Sequence, residues 1–289
     1  MEIEKYLAHQ HSKFKISEFK TDDTDKFNSK NEAAEILEEN VKKMSELQDK
    51  LYAQDKYSLL LIFQAMDAAG KDGTIKHVMS GLNPQGTQVY SFKQPSAEEI
   101  DHGYLWRISK ALPERGRIGI FNRSHYEEVL IVRVHNLIAS SKLPEKFIDK
   151  NIWQRRFEHI TNFEKYLYEN GTVILKFFLH ISKEEQKKRF LERIDNPAKN
   201  WKFAMGDIEE RKYWDEYQKC YEEAIAATSK DCSPWFIIPA DKKWFARLLV
   251  SEIIVETLKK LKPEYPELTD EQNKEILNAK NILTGEKNN

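Results

Sequence analysis

Short apolar runs alternate with longer amphipathic stretches along most of this chain. Five runs have the length and composition of strands, at 57–64, 87–92, 118–122, 172–180 and 233–240. The stretches between them carry apolar residues every three to four positions, which predicts helices. Strands that alternate with helices favour a parallel sheet covered by helices on both faces. The pattern therefore predicts a three-layer α/β/α fold.

The predicted helices differ in how clearly their ends are marked. Ser96 and Glu99 form the spacing of a capping box, and Gly171 is placed to close a long helix. Segment 125–138 fits either a helix or a strand, and we interpret it as a helix because it directly follows a strand. The helices are predicted at 31–54, 74–82, 95–112, 125–138, 146–171, 182–195, 207–228 and 241–261.

The 289 residues show no internal repeat and no low-complexity linker, which favours one domain over 1–289. Residues 1–54 are expected to form a polar arm and a helix, with the arm on the surface rather than in the core. Residues 55–262 would form the α/β core. The polar tail 263–289 carries little signal for regular structure.

The segment QAMDAAGKDGTIK at 64–76 is close to a phosphate-binding loop, G-x-x-x-x-G-K-[ST]. Gly70 and Lys71 match this pattern. Ala65 replaces the first glycine, and Asp72 replaces the hydroxyl residue that serves magnesium. The loop stands between an apolar strand and a helix, which is the context that phosphate binding requires. The segment therefore predicts a phosphate site with altered metal chemistry.

Backbone N–H groups at the start of a helix lack partners and attract anions, so this loop is expected to hold phosphate oxygens. The predicted phosphate ligands are Ala68, Ala69, Gly70, Lys71, Asp72 and Gly73. A carboxylate is tolerated beside phosphate when it binds a cation, so Asp67 is predicted to hold Mg²⁺, with Mn²⁺ as an alternative. The alternative is that Asp67 and Asp72 only cap the loop through the N–H groups of their neighbours.

A second group of polar residues, FNRSHYEEVL at 121–130, follows the third predicted strand. Asn122 stands where a neighbouring strand of such enzymes ends in a metal-serving acid, so it is predicted as a neutral metal or nucleotide ligand. Arg123 is suited to bidentate phosphate contact. Glu127 or Glu128 could supply the missing negative charge, and Glu127 is the predicted catalytic residue together with Asp67, Lys71 and Arg123. Either glutamate could also be a plain surface residue.

A basic helix and loop over about 183–206 have the character of a lid that closes over a polyanion. Arg189 and Arg193 are four residues apart on one helix face, and Lys202 lies in the loop that follows. These three are predicted to bind phosphate. Arg107 is predicted to contact the acceptor phosphate. The alternative to a lid is that the basic segment 183–206 is only a solvent-exposed helix and loop.

The whole chain has a net charge of -1, which does not favour a nucleic-acid partner. No run approaches ~18 apolar residues, so no membrane association is expected. A cytoplasmic protein is predicted.

Four ordered blocks make the chain resemble the polyphosphate kinase 2 family. They are QAMDAAGKDGTIKHVMSGLNPQG, EEIDHGYLWR, RGRIGIFNRSHYEEVLIVRVH and ERIDNPAKNWKF, and they lie within about 57–205. The form N-R-S-H-Y-E resembles the class III branch, which acts on nucleoside mono- and diphosphates. Many members have an aspartate where this chain has Asn122, so the second metal ligand departs from the family pattern.

The resemblance implies a P-loop kinase fold similar to thymidylate kinase, with a lid. It also implies reversible, Mg²⁺-dependent transfer of a terminal phosphoryl group between inorganic polyphosphate and AMP or ADP, giving ADP or ATP. Family analogues are often dimers or tetramers, so a homo-oligomer is expected. The alternatives are an ATP-dependent nucleotide kinase and a polyphosphate-binding protein without catalysis.

Overall fold

The structure of the protein is a computed structural model that describes residues 1–9 and 14–285. The described residues contain five strands: β1 Ser58–Ala65, β2 Thr87–Ser91, β3 Ile118–Asn122, β4 Thr172–His180 and β5 Trp235–Pro239. They form one sheet in the order β2-β3-β1-β4-β5, and every pair is parallel. All eight residues of β1 are buried, because this strand lies at the centre of the sheet. The predicted parallel α/β fold is confirmed.

One long α-helix precedes the first strand, and the other α-helices lie between the strands and after them. They are α1 Lys30–Gln54, α2 Lys71–Val78, α3 Ala97–Ile100, α4 Trp106–Lys110, α5 Ile131–Val134, α6 Ile152–Glu169, α7 Lys183–Asp195, α8 Met205–Glu210, α9 Trp214–Thr228, α10 Lys243–Leu261 and α11 Asp270–Gly285. Short 3₁₀ turns include His125–Val129, Pro197–Lys202 and Arg211–Tyr213. Among the described residues, no helix is long and apolar enough to cross a membrane.

Several local predictions need correction. The helix predicted over 95–112 is two short helices, because the chain turns at Asp101–Gly103, where glycine has a poor helix propensity. Its capping box at Ser96 is present. The ambiguous segment 125–138 is helical, in short 3₁₀ and α turns rather than one helix.

Both ends of the chain also differ from expectation. The segment predicted as a surface arm contributes to the core, since Tyr6, Phe14 and Phe27 are buried there. Their irregular spacing gives no periodic signal in the sequence. The tail contains α11, none of whose residues is buried, so its helix arises without a core-facing stripe. Residues 10–13 of the arm and 286–289 of the tail lie outside the described residues.

Helices α1 and α10 pack against each other on one face of the sheet, and α10 also packs against α2. Helix α10 buries residues on most of its circumference, including Phe245, Leu249 and Ile254. Helix α6 covers the other face, and it packs against β4 and α9. The carboxyl ends of the parallel strands stay uncovered, which is where ligands bind in open α/β sheets.

Candidate active site

The loop between β1 and α2 lies at the carboxyl edge of the sheet, at the centre of the strand order. Gly70 has a φ of 106°, a left-handed conformation that favours glycine, and it is followed directly by the first residue of α2. Ala68 also has a positive φ, 60°, without being glycine. This backbone is strained at Ala68, so neighbouring contacts must hold it.

Lys71 reaches back along the loop instead of extending into solvent. Its Nζ donates to the carbonyl oxygen of Ala65 at 2.9 Å. Burial lowers the pKa of the Lys71 ammonium, with Asp67 acting in the opposite direction. An ammonium group held at the floor of the loop is oriented toward the helix N-terminus that would receive a phosphate. The alanine at position 65 thus supports the lysine through its backbone carbonyl.

Arg123 pairs with Asp67 across the loop, with 2.9 Å between Nη2 and Oδ1. The arginine has a φ of 64°, and its backbone N–H donates to the carbonyl of Phe63 at the end of β1. This turn directs the guanidinium into the space above the sheet edge. Two residues predicted from separate motifs, 56 positions apart, are therefore adjacent.

Glu127 lies behind this pair. Burial raises the pKa of its carboxyl, while the cationic Arg123 and Lys71 act in the opposite direction. The hydrogen bonds of Gln64 are best satisfied with its amide nitrogen facing Glu127 Oε1 at 2.9 Å. Glu128, the other candidate, is buried and pairs with Arg156 at 2.8 Å. Of the two glutamates, Glu127 is the one at the site.

Asp72 and Asn122 contact each other directly. Asn122 Nδ2 donates to Asp72 Oδ1 at 2.7 Å. The contact joins the first turn of α2 to the end of β3. The neutral amide of Asn122 can donate this hydrogen bond to the carboxylate of Asp72, which a second carboxylate at the same position could not do without a proton or a cation. Asp72 therefore fixes the orientation of Asn122.

Arg189 on α7 has a different position from the one expected of a lid residue. Only 4% of it is exposed, and its guanidinium donates to the loop carbonyls of Ala68 at 3.1 Å and Ala69 at 2.7 Å. Its other donors go to the carbonyls of Ala240 and Asp241 and to Glu185. All five N–H groups of the side chain are occupied by protein. Arg189 braces the strained loop in this arrangement.

The rest of the predicted lid is more open. Arg193 pairs with Asp207 at 3.1 Å, and about a fifth of each side chain is accessible. Burial raises the pKa of the Asp207 carboxyl, and the negative charge of Asp67 raises it further. Lys202 lies on the 3₁₀ turn beyond α7 and faces the same space. These residues of the predicted lid line the same cleft as the loop, and closure of a lid over it stays a prediction.

These elements enclose a cleft of about 680 Å³. Its charged lining, within the described part of the chain, comprises nine Lys or Arg side chains and four Asp or Glu side chains. The cations are Lys71, Lys93, Arg123, Arg189, Arg193, Lys199, Lys202, Lys243 and Arg247; the acids are Asp67, Asp72, Glu192 and Asp207. A chain with almost no net charge thus concentrates positive charge in one cleft, which attracts polyanions.

Most of the predicted site residues line this cleft. The exceptions are Ala69, Arg107 and Glu127, and Glu127 lines an adjoining cavity together with Asp67 and Arg123. Ala69 belongs to the loop, but it is buried in the core. Arg107 lies in a neighbouring cavity of about 500 Å³, where its Nη1 donates to the carbonyl of Lys93 at 2.8 Å. This cavity shares Ser91, Phe92, Lys93 and Gln94 with the cleft, and the contact of Arg107 with the acceptor phosphate stays a prediction. Sequence reasoning missed Lys93, Lys243 and Arg247, although the basic pair at 243 and 247 has the spacing of one helix face. Lys199, which belongs to the basic segment of the predicted lid, also lines the cleft.

A comparison of the sequence with models of protein families identifies the family to which the chain belongs. The model of the family described as polyphosphate kinase 2 matches residues 27–266. The chain belongs to the polyphosphate kinase 2 family. The match covers α1, all five strands and the cleft, so the family assignment includes every residue of the site described above.

Relatives of known name cover most of the chain. An "ADP-polyphosphate phosphotransferase" of Rhodopseudomonas palustris is 55% identical over 260 residues, 89% of this chain and 90% of the relative. An "AMP/ADP-polyphosphate phosphotransferase" of Meiothermus ruber is 47% identical, over 92% of this chain and 96% of the relative. The crystal structure of polyphosphate kinase 2 from Arthrobacter aurescens TC1 is similar with a TM-score of 0.85 and 39% identity, covering 94% and 95% of the two chains. The fold of this family is thus the fold found here.

Proposed function

We propose that the protein transfers the terminal phosphoryl group of inorganic polyphosphate to AMP and ADP, and that it also catalyses the reverse reaction. The observation that supports this proposal most directly is the cationic cleft, which is centred on the N-terminus of α2 and on Lys71. A polymer of phosphates needs positive charge distributed along its length. The nine cations come from the start of α2, the segments that follow β2 and β3, helix α7, the 3₁₀ turn Pro197–Lys202 and the start of α10. The relative names support both AMP and ADP as acceptors.

The residues of the cleft would act by positioning reactants and by neutralising charge. Phosphoryl transfer passes through a loose transition state, so no covalent nucleophile is needed. Backbone N–H groups of the loop and Lys71 would hold the transferred phosphoryl group. Arg123, fixed by Asp67, would orient the acceptor phosphate for in-line attack. The acceptor oxygen bonds to the terminal phosphorus as the bond to the bridging oxygen of polyphosphate breaks.

The donor set at the loop fits a magnesium ion. Asp67 Oδ1 is held by Arg123, and Asn122 uses its amide nitrogen toward Asp72, so oxygen atoms of Asp67 and Asn122 are left for a cation. The described residues hold no group of three or more acidic, histidine or cysteine side chains around one point. Mg²⁺ takes one or two carboxylates and completes its shell with phosphate oxygens and water, so Asp67 and Asn122 would hold it only together with the bound phosphates. Mg²⁺ or Mn²⁺ would neutralise phosphate charge during transfer.

Self-association into a dimer or tetramer, in the cytoplasm, is part of the proposal. Helix α11 carries Ile276, Leu277, Ile282 and Leu283, each more than half exposed. Exposed apolar side chains on one helix are typical of a protein–protein contact. Light scattering of the purified protein measures the mass directly, and a monomer at all concentrations would contradict this part.

The decisive experiment supplies polyphosphate and ADP with Mg²⁺ and no ATP, and then measures ATP; a parallel reaction with AMP measures ADP. Product in both reactions is the expected result. An ATP-dependent nucleotide kinase would require ATP as the donor, and a binding protein would retain polyphosphate without turnover. Lys71→Ala serves as the control, because it removes the ammonium and leaves the backbone N–H groups in place.

A further inference from the structure

Two basic residues at the start of α10 line the cleft although they follow the last strand, far from the loop in sequence. Lys243 and Arg247 are four residues apart and lie on one helix face. A Cβ atom built on Gly73 would lie 3.7 Å from Arg247 Nη2, so the guanidinium is beside the first turn of α2. The pair is therefore close to the phosphate loop.

These cations are not balanced by the protein. Within the described residues Arg247 forms no ion pair, and its buried Nε has no hydrogen-bond partner. The nearest acid to Lys243 is Glu192 at 4.0 Å, and Glu192 already pairs with Lys199. One carboxylate thus serves two ammonium groups. A buried N–H without a partner costs stability unless a ligand accepts its hydrogen bond.

Their surroundings are repulsive as well. Burial lowers the pKa of the Lys243 ammonium, and the positive charge of Arg189 lowers it further. Burial and Arg189 act in the same direction on the Arg247 guanidinium. Lys243 also opens α10, whose first turn contains no acid, although a helix N-terminus disfavours cations. An anion that fills the space between the two groups would offset this repulsion.

The sheet order separates this cation pair from the acceptor side. Asn122 and Arg123 follow β3, and Lys243 follows β5, on the opposite side of the central strand β1. We infer that Lys243 and Arg247 bind the donor polyphosphate chain beyond the phosphoryl group that is transferred. This inference rests on the proposed function, and it assigns the β5 side of the cleft to the donor. A long donor would reach both residues, whereas tripolyphosphate would be held mainly by the loop.

The test measures kinetics with ADP at saturation and either long-chain polyphosphate or tripolyphosphate as the donor. Lys243→Gln and Arg247→Gln remove the charges and keep much of the side-chain volume. Each variant is expected to raise KM for long-chain polyphosphate roughly tenfold, the loss of one charge-assisted contact, and to change KM for tripolyphosphate less than about twofold. Lys242→Gln is the matched control, because the neighbouring Lys242 is exposed and outside the cleft lining.

The outcomes separate this inference from the function on which it rests. A wild-type protein that uses neither donor sinks the proposed function. An active wild type whose variants behave like Lys242→Gln, or whose KM rises equally for both donors, overturns the donor-chain assignment alone. Calorimetric titration with long-chain polyphosphate, in the absence of nucleotide, measures the affinity for the donor independently of turnover. We expect Arg247→Gln to bind polyphosphate more weakly than Lys242→Gln does.

Discussion

Replacing Arg189 by alanine tests whether this arginine holds the loop or binds substrate. Its guanidinium makes five hydrogen bonds to protein groups, four of them to backbone carbonyls, and two of these carbonyls belong to the phosphate loop. The substitution leaves these acceptors without their donor and also removes the partner of Glu185. Breaking one side of such a buried charged arrangement costs about 3–5 kcal/mol.

Arg193 provides the comparison, since Arg193→Ala removes the same charge from the same helix. Its ion pair with Asp207 is partly exposed, with 22% and 26% of the two side chains accessible. A pair of this kind contributes about 1 kcal/mol or less. The difference between the two variants therefore isolates the buried contacts of Arg189.

Urea unfolding followed by circular dichroism measures both variants against the wild type. We expect Arg189→Ala to lose at least about 3 kcal/mol of unfolding free energy, with Arg193→Ala within about 1 kcal/mol of the wild type. Equal losses in the two variants would refute the bracing role. A stable Arg189→Ala protein with a raised KM for polyphosphate would instead support the direct phosphate contact that the sequence predicts.

Three further changes address the chemistry of the cleft. Lys71→Met should lower kcat roughly 10²–10³-fold in the coupled ATP assay, because one preorganised cation is lost from the transferred group. Burial raises the pKa of Glu127, so its carboxylate loses its charge as the pH falls through a value above the ordinary 4.5. If this charge is needed, kcat/KM of the wild type falls at acid pH and the fall disappears in Glu127→Gln. A fall that the variant keeps would come from titration of the substrate instead. Asp67→Asn should raise the Mg²⁺ concentration needed for half-maximal rate, and an unchanged Mg²⁺ titration would remove Asp67 from the metal site.

Local sequence patterns determine the elements because they depend on residues near in the chain. The apolar run that became β1 and the three-to-four spacing of α1 require only the chemistry of nearby positions. The loop glycines and Lys71 are likewise recognisable, because a glycine-bearing loop between a buried strand and a helix N-terminus is a common phosphate-binding arrangement. The family resemblance then supplied the expected reaction.

Elements without a periodic signal were harder to predict. Phe14 and Phe27 join the core through irregular turns, and α11 has no buried face, so neither produces an informative pattern. The split of segment 95–112 depends on one turn near Gly103. In each case packing or a single backbone choice outweighs the average propensity of the segment.

Contacts between distant positions were decided only by the tertiary structure. The sequence identifies Arg189 as basic and helical, but only the packing of α7 against the loop turns it toward carbonyls about 120 residues away. Asp72 gains a role through Asn122, and Arg247 reaches the cleft because α10 packs beside α2. In an amphipathic helix such as α1, the periodicity of the sequence determines which face is buried. Which polar groups then meet at the sheet edge depends on the order and spacing of the strands, and no local pattern encodes these.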